Sequence, residues 1–302
     1  MSDSIKIYHS MAEFYAATGG TMEQDLDCTV HRLEDVHANP PLVSPLFRAN
    51  YYSFVLIRTG LGRYLIDNYT YETKPGTIYF TNPGHIKGFE IHELCRGYII
   101  TFAESFLKQY VHAHIFEEFP FLIAEIAPPR YTDPATFEIF DRLGSQLLSE
   151  FQSGSTYKAQ ILGSLVRVLL LKIKEMFWHS YDPLHESDRG SQIVRTFKQN
   201  LEAHFRELVA GRIEGMYQVQ DYAAAQQLHP NYLSTVVKSK TGKPIQAWIA
   251  EKTIAEAQAL LARSDATVQE VAYRLAFKEP GHFTRYFKKH TGLTPSEFRR
   301  AG

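Results

Sequence analysis

The sequence predicts an α+β chain of two domains: an N-terminal β-barrel with helices, then an all-α domain with two helix-turn-helix motifs. Three observations predict it. Short strand-like runs crowd residues 47–102, helical periodicity takes over after residue 133, and one helix-turn-helix pattern occurs twice near the C-terminus. At 302 residues the chain is long for one average domain and sufficient for two, each with its own core.

The strand-rich part is carried by "YYSFVLIRTG", "GRYLIDNYTYET", "GTIYFTN" and "GYIITF". These runs are rich in β-branched and aromatic residues. Turn signals separate them at Gly60 to Gly62, Asp67-Asn68, Lys74-Pro75-Gly76 and Asn82-Pro83-Gly84, a spacing that suits a small sandwich or barrel.

After Thr132-Asp133-Pro134 the period changes. "ATFEIFDRLGSQLLSEF" and "YKAQILGSLVRVLLLKIKEMFW" place apolar residues three and four apart, and Pro134 sits in the first turn of the former helix, where a missing N–H costs little. The polar stretch "HSYDPLHESDRG" has Pro and Gly and no periodicity. It divides the chain into domains 1–178 and 191–302 with a linker at 179–190. Helices are expected beyond it at 191–208, 219–228, 231–241, 244–262, 268–275, 281–290 and 295–300.

Composition narrows the function classes. With 44% apolar and 22% charged residues the chain is an ordinary globular one, which argues against long disorder. The longest apolar run, Ile161 to Leu171, is broken by Arg167 and is far shorter than the roughly 20 residues of a membrane span. The first thirty residues carry five acidic side chains and no apolar signal segment, so a cytoplasmic protein without membrane partners is expected. Cys28 and Cys95 stand at no metal-ligand spacing and read as two unpaired thiols.

Net charge −1 hides an asymmetry: residues 1–190 hold 16 Lys+Arg against 23 Asp+Glu, and residues 191–302 hold 16 against 10. A basic second half joined to an acidic first half points to a polyanion met by the second half alone.

Within that half, "PNYLSTVVKSKTG" (Pro230 to Gly242) lies without gaps on "PGHFTRYFKKHTG" (Pro280 to Gly292), offset by fifty residues. A short alanine-containing helix precedes each. Leu233, Val236 and Val237, and Phe283, Tyr286 and Phe287, fall at i, i+3 and i+4 and should pack inward. That leaves Asn231, Tyr232, Ser234, Thr235 and Lys238, and His282, Arg285, Lys288 and Lys289, facing outward. Gly242 and Gly292 suit the left-handed position that ends a helix. The helix between the copies would be roughly 28 Å long, close to the about 34 Å between successive major-groove faces, so two second helices could enter adjacent turns of one groove.

These residues resemble a known family. "VQDYAAAQQLHPNYLSTVVKSKTGKPIQAWI" with "TVQEVAYRLAFKEPGHFTRYFKKHTGLTPSEFRR" closely resembles the DNA-binding domain of AraC-type transcriptional regulators, over about 110 residues. One departure is visible: Ala276 stands where the family usually has glycine before Phe277, which narrows the options of that turn. The resemblance implies base reading by Asn231, Ser234 and Thr235 in the first copy and by Gly281, His282 and Arg285 in the second. Arg285 suits guanine O6 and N7 as a bidentate donor. Lys238, Lys288 and Lys289 suit phosphates. It further implies a sequence-specific regulator of transcription bound to duplex DNA, a homodimer, a small-molecule effector and a contact with RNA polymerase. No enzymatic activity is expected in this domain.

The β domain ahead resembles the cupin-like sensor domain of the same family, through "YETKPGTIYFTNPGHIKGF". Cupins also serve as metal-dependent oxygenases and isomerases, which require three imidazoles and a carboxylate at fixed spacing. At that spacing this sequence offers Arg48 and Asn50 for two histidines, Val55 for the glutamate and Lys87 for the last histidine. Every ligand is replaced, two of them by cations, so no metal and no cofactor are expected. The same substitution suggests an anion-binding pocket with Arg48, Asn50 and Lys87 beside Tyr52, Phe54, Tyr64, Tyr79 and Phe89, against the alternative that the charges sit at the rim and the rings fill the core. The helices of 134–178 offer more apolar face than one small sheet needs, which suggests a dimer surface.

Overall fold

The computed structural model describes residues 5–8, 11–18, 26–37, 39–67, 69–123, 128–178, 189–263 and 265–301. Two compact units divide the chain: Met1–Val111 with Phe119–His185, and His112–Glu118 with Glu186–Gly302. Residues 179–188 of the expected linker lie outside the described residues. Its last two, Arg189 and Gly190, are helical, so the following helix starts earlier than expected.

The first unit is built on strands β1 (Lys6–Tyr8), β2 (Cys28–Arg32), β3 (Leu42–Val43), β4 (Phe47–Ala49), β5 (Tyr52–Thr59), β6 (Gly62–Ile66), β7 (Tyr69–Thr73), β8 (Thr77–Thr81), β9 (Ile86–Ile91), β10 (Arg96–Phe102) and β11 (Arg130–Tyr131). One sheet runs β1-β4-β9-β6-β7 with β3 beside β9, and the other runs β11-β8-β5-β10-β2. Pairing is antiparallel apart from β1 with β4. The turns fall where Gly and Asp allow positive φ, as at Gly76, whose φ is 83°. A Cβ there would lie 2.5 Å from the Thr132 carbonyl oxygen, so only glycine fits.

Helices of the first unit are α1 (Met11–Thr18), α2 (Leu33–Val36), α3 (Glu104–Phe106), α5 (Pro134–Phe151) and α6 (Lys158–Phe177), while α4 (Ile115–Glu118) groups with the second unit. Asp133 caps α5 by accepting from the Ala135 and Thr136 amides at 3.0 Å each, with Pro134 at the first helical position, as its fixed φ favours. Helix α5 closes on the outer face of the second sheet: a Cβ on Gly144 would come within 2.4 Å of the Tyr98 ring. That sheet is therefore covered on both faces. This is why β5 carries the unbroken apolar run "FVLI" instead of alternating.

Successive side chains of a strand point to opposite faces. Ser53, Val55 and Ile57 of β5 face the first sheet together with Tyr79 and Thr81 of β8. Phe54 goes the other way and stacks on Phe80 and Phe102 at 5.4 and 5.7 Å.

The second unit is helical beyond residue 188: α7 (Arg189–Val209), α8 (Val219–Ala224), α9 (Pro230–Thr241), α10 (Ile245–Arg263), α11 (Val268–Arg274), α12 (Pro280–Thr291) and α13 (Pro295–Ala301). It has two cores. Phe197, Leu201 and Phe205 of α7 enclose Tyr222, Leu233, Val237 and Trp248 in one, and Leu261, Val271, Leu275, Phe283 and Phe287 form the other. Helix α10 threads both, giving Ile245 and Trp248 to the first core and Ala257 and Leu261 to the second. The chain is thus a two-domain α+β protein, sheet-rich first and helical second.

Candidate nucleic-acid interface and buried cavity

Each copy of the repeat is a helix, a turn and a second helix with the same end structure. Gly242 and Gly292 close α9 and α12 at φ 73° and 80°, their amides bonded to the Lys238 and Lys288 carbonyls at 2.8 and 2.9 Å. The threonines that coincide in the repeat do the same work in both. Thr241 donates to the Val237 carbonyl at 2.7 Å and accepts from the Lys243 amide at 3.3 Å; Thr291 donates to Phe287 at 2.9 Å and accepts from Leu293 at 3.3 Å. Orphan groups of the last turn are satisfied in this way.

The turns before these helices differ in length. In each, an amide reaches back five residues, Leu228 to Ala223 at 2.9 Å and Phe277 to Ala272 at 3.0 Å. The preceding residue is left-handed, Gln227 at φ 55° and Ala276 at φ 58°. These pairs are offset by forty-nine residues, whereas the second helices are offset by fifty. The second turn is one residue longer, a feature that the ungapped alignment of the helices alone does not show.

Burial along the two second helices follows one pattern. Leu233 and Val237, and Phe283 and Phe287, are completely buried. Asn231, Tyr232, Thr235 and Lys238 are exposed and Ser234 is half-buried; Gly281, His282, Arg285, Lys288 and Lys289 are exposed. A Cβ on Gly281 would meet nothing within 4 Å, so packing does not demand glycine there. Thr284 spends its hydroxyl on the Pro280 carbonyl at 3.1 Å. His282 Nε2 lies 3.5 Å from the Glu279 carboxylate, which puts an acid at the start of the second helix.

Caps fix how these helices begin. Thr267 and Glu270 form a reciprocal capping box on α11, with the Glu270 amide 3.1 Å from the Thr267 hydroxyl. His229 Nδ1 accepts from the Asn231 amide at 3.2 Å. Arg299, in the closing "SEFRR", is not an outward cation. Its guanidinium donates to the Leu261 carbonyl at 3.1 Å and the Ala266 carbonyl at 2.5 Å, tying α13 to the end of α10.

Between the two sheets of the first unit lies a cavity of about 90 Å³, walled by both. Its lining includes Tyr64, Tyr79, Phe89 and Lys87, with Tyr51, Ser53, Thr81 and His37. Arg48, Asn50 and Tyr52, and with them Phe54, do not line it, which corrects their expected placement. Alternation is the cause: Phe47, Tyr51 and Ser53 line the cavity, so Arg48 and Tyr52 face away, and a one-residue offset exchanges the faces of a strand. Arg48 Nη1 instead donates to the Gly84 carbonyl at 2.9 Å, Tyr52 stacks on Phe102 at 6.1 Å, and Asn50 lies beyond the end of β4.

Lys87 is 3% exposed. Its ammonium donates to the Thr81 hydroxyl at 2.8 Å and lies 5.4 Å from the centre of the Tyr51 ring. Tyr64 stacks on Tyr79 at 4.3 Å, and the Tyr64 hydroxyl is buried with no hydrogen-bond partner among the described residues. Burial pushes the Tyr64 phenol well above its ordinary range, so it stays a neutral donor. Desolvation also lowers His37 to about 4, leaving a neutral ring near the cavity wall. Outside the cavity, His85 and Asp67 pair at 2.7 Å. Among the described residues no group of three or more His, Cys, Asp and Glu side chains could hold a metal ion, and no helix is long and apolar enough to cross a membrane.

Comparison with known proteins separates the same two parts. Residues 222–301 match a helix-turn-helix domain family and residues 44–165 an AraC-like ligand binding domain family. The arabinose operon regulatory protein of Escherichia coli is 25% identical over 226 residues, 75% of this chain and 72% of its own length. An uncharacterized HTH-type transcriptional regulator, YobQ of Bacillus subtilis, is 28% identical over 162 residues, 52% of this chain. That match spans 64% of the relative, a little under two-thirds of its length. Among solved structures, the DNA-binding domain of AdpA in complex with a target DNA is 26% identical over 38% of this chain and 93% of that chain, with a TM-score of 0.31.

Proposed function

This chain belongs to the AraC-type transcriptional regulators, joining an AraC-like ligand-binding domain to a DNA-binding helix-turn-helix domain, and from that premise we propose how it reads DNA and is controlled. Helices α9 and α12 enter successive turns of the major groove. Asn231, Ser234 and Thr235 read bases at one site, and Gly281, His282 and Arg285 at the other. Lys238, Lys288 and Lys289 hold the phosphate backbone. The observation that carries this reading is the repeated exposure pattern of the two second helices, each anchored by two completely buried residues one turn apart. Helix α10, whose 19 residues span about 28 Å, keeps them at near groove-to-groove distance.

A small molecule held between the sheets of the first unit biases which sites the protein occupies, through its differential affinity for the conformations involved. The domains follow the expected division, 1–178 and 191–302 joined by 179–190, with the helical Arg189 and Gly190 belonging to the second. We read the protein as a cytoplasmic homodimer without catalytic activity that contacts RNA polymerase when bound. The dimer is supported by apolar residues left exposed on α5 and α6, Ile139, Val168 and Leu171, each near 40% exposed.

Selection of bound duplexes from a random pool by the full-length protein tests this. Convergence on two short motifs one helical turn, about 10–10.5 base pairs, apart is expected; enrichment of no motif would overturn it.

A further inference from the structure

We propose that the cavity of the first unit takes a small carboxylic acid with a single aromatic ring, its carboxylate at Lys87 and its ring against the edges of the stacked Tyr64 and Tyr79 and against Phe89. This rests on reading that unit as ligand-binding and adds the chemical class.

Strand register sorts the lining into tiers. Lys87 stands opposite Phe47 and Ile66 in one sheet, and Ser53 opposite Thr81 and Thr101 in the other. Two residues further along, Phe89 faces Tyr64, and Val55 faces Tyr79 and Ile99. Beyond them come Ile91 and Ile57. The cavity therefore has a polar, cationic end, an aromatic middle and a far end where Ile57 and Ile91 meet Thr73 and Cys95.

Each tier narrows the class. The ammonium of a residue only 3% exposed in the cavity wall favours an anionic guest, because charges attract more strongly away from water. The Thr81 hydroxyl at 2.8 Å and the Tyr51 ring face at 5.4 Å stand beside it, so it presents one compact point charge. That suits a carboxylate better than a phosphate, whose three oxygens call for several donors. The aromatic middle would leave the hydroxyls of a sugar unsatisfied. Stacked and edge-on rings favour an aromatic guest over an aliphatic chain. The Tyr64 hydroxyl, buried and without a partner among the described residues, is a donor for a polar substituent on that ring. Size sets the limit: about 90 Å³ is below the roughly 150 Å³ of an apolar cavity that admits benzene, so two rings are excluded and a single ring enters only as the wall yields.

Titration of the full-length protein with benzoate, phenylacetate, benzamide, hexanoate and glucose, followed by calorimetry and melting temperature, tests the class. The aromatic acids should bind roughly tenfold to a hundredfold more tightly than benzamide, the span of a charge-assisted hydrogen bond. Lys87→Met, which conserves volume, should erase the preference of acid over amide while the circular dichroism stays native. Should that variant not fold, Thr81→Val must narrow the same preference. Benzamide binding as well as benzoate, hexanoate binding more tightly than either aromatic acid, or no probe binding at all overturns the proposal. Hexanoate or glucose bound in the parent and lost in the cavity-filling Val55→Phe would remove the aromatic-acid class yet leave the ligand-binding reading standing. That reading itself falls if Val55→Phe and the parent bind every probe alike.

Discussion

Ala276 and Gln227 occupy the same left-handed backbone position, φ 58° and 55°, one at the end of the first helix of each helix-turn-helix unit. Left-handed backbone costs a residue with a Cβ about 1–2 kcal/mol. The chain bears that cost twice because the amides of Phe277 and Leu228 each reach back five residues only with this geometry.

Ala276→Gly should therefore raise the stability of the second unit by about 0.5–1 kcal/mol, the strain relieved less the extra entropy of an unfolded glycine. Urea unfolding followed by circular dichroism measures it; a loss of stability would mean that the Ala276 methyl, packed beside the first core, outweighs the strain.

Outward residues of α12 should separate by role. Arg285→Ala should cost about 1–3 kcal/mol at one base position and relax preference there, and Lys288→Ala should weaken all sequences alike and reduce the salt slope by about one. Competition binding against single-base variants of a selected site distinguishes them. If both behave alike, the assignment of faces is wrong.

Gly163→Ala should destabilise the first unit by about 1–3 kcal/mol. Its Cβ would sit 2.3 Å from the Tyr110 carbonyl oxygen, and backbone cannot yield as a flexible side chain can. Gly154, where an added methyl would meet nothing within 4 Å, is the control: Gly154→Ala should leave the melting temperature within a degree or two of the parent.

Burial holds His37 near pKa 4 when folded, against about 6.5 in an unfolded chain. Because the unfolded state binds the proton more readily, the stability associated with His37 is complete above pH 6.5 and is lost as pH falls from about 6.5 toward 4. His37→Phe keeps a ring against Phe89, 4.6 Å away, and removes the titration. Between pH 7.5 and 5 the parent should lose more stability than this variant; equal losses would place His37 in solvent.

The helical half was legible because local rules decide it. Leu233, Val237, Phe283 and Phe287 sit at helical spacing and are all buried, and Gly242 and Gly292 end helices as glycines do. Arg299 was not legible, because its carbonyl partners at Leu261 and Ala266 lie more than thirty residues away in sequence. In the sheets the cavity was readable only in part. Tyr52 and Phe54 read as pocket residues on aromatic character, yet their strand buries both faces, so hydrophobicity gave no signal of which side was inward. Alternation along the chain from Phe47, which stands opposite Lys87, would have selected Tyr51 and Ser53 instead.

The central claim is that the second unit reads sequence through two helices. Its most direct test is equilibrium binding of the full-length protein to a selected duplex and to a scrambled one, at two salt concentrations. The account predicts a preference of roughly 10³ or more for the selected duplex, with affinity for both falling steeply as salt rises. Equal affinity for the two duplexes at both salts would contradict it.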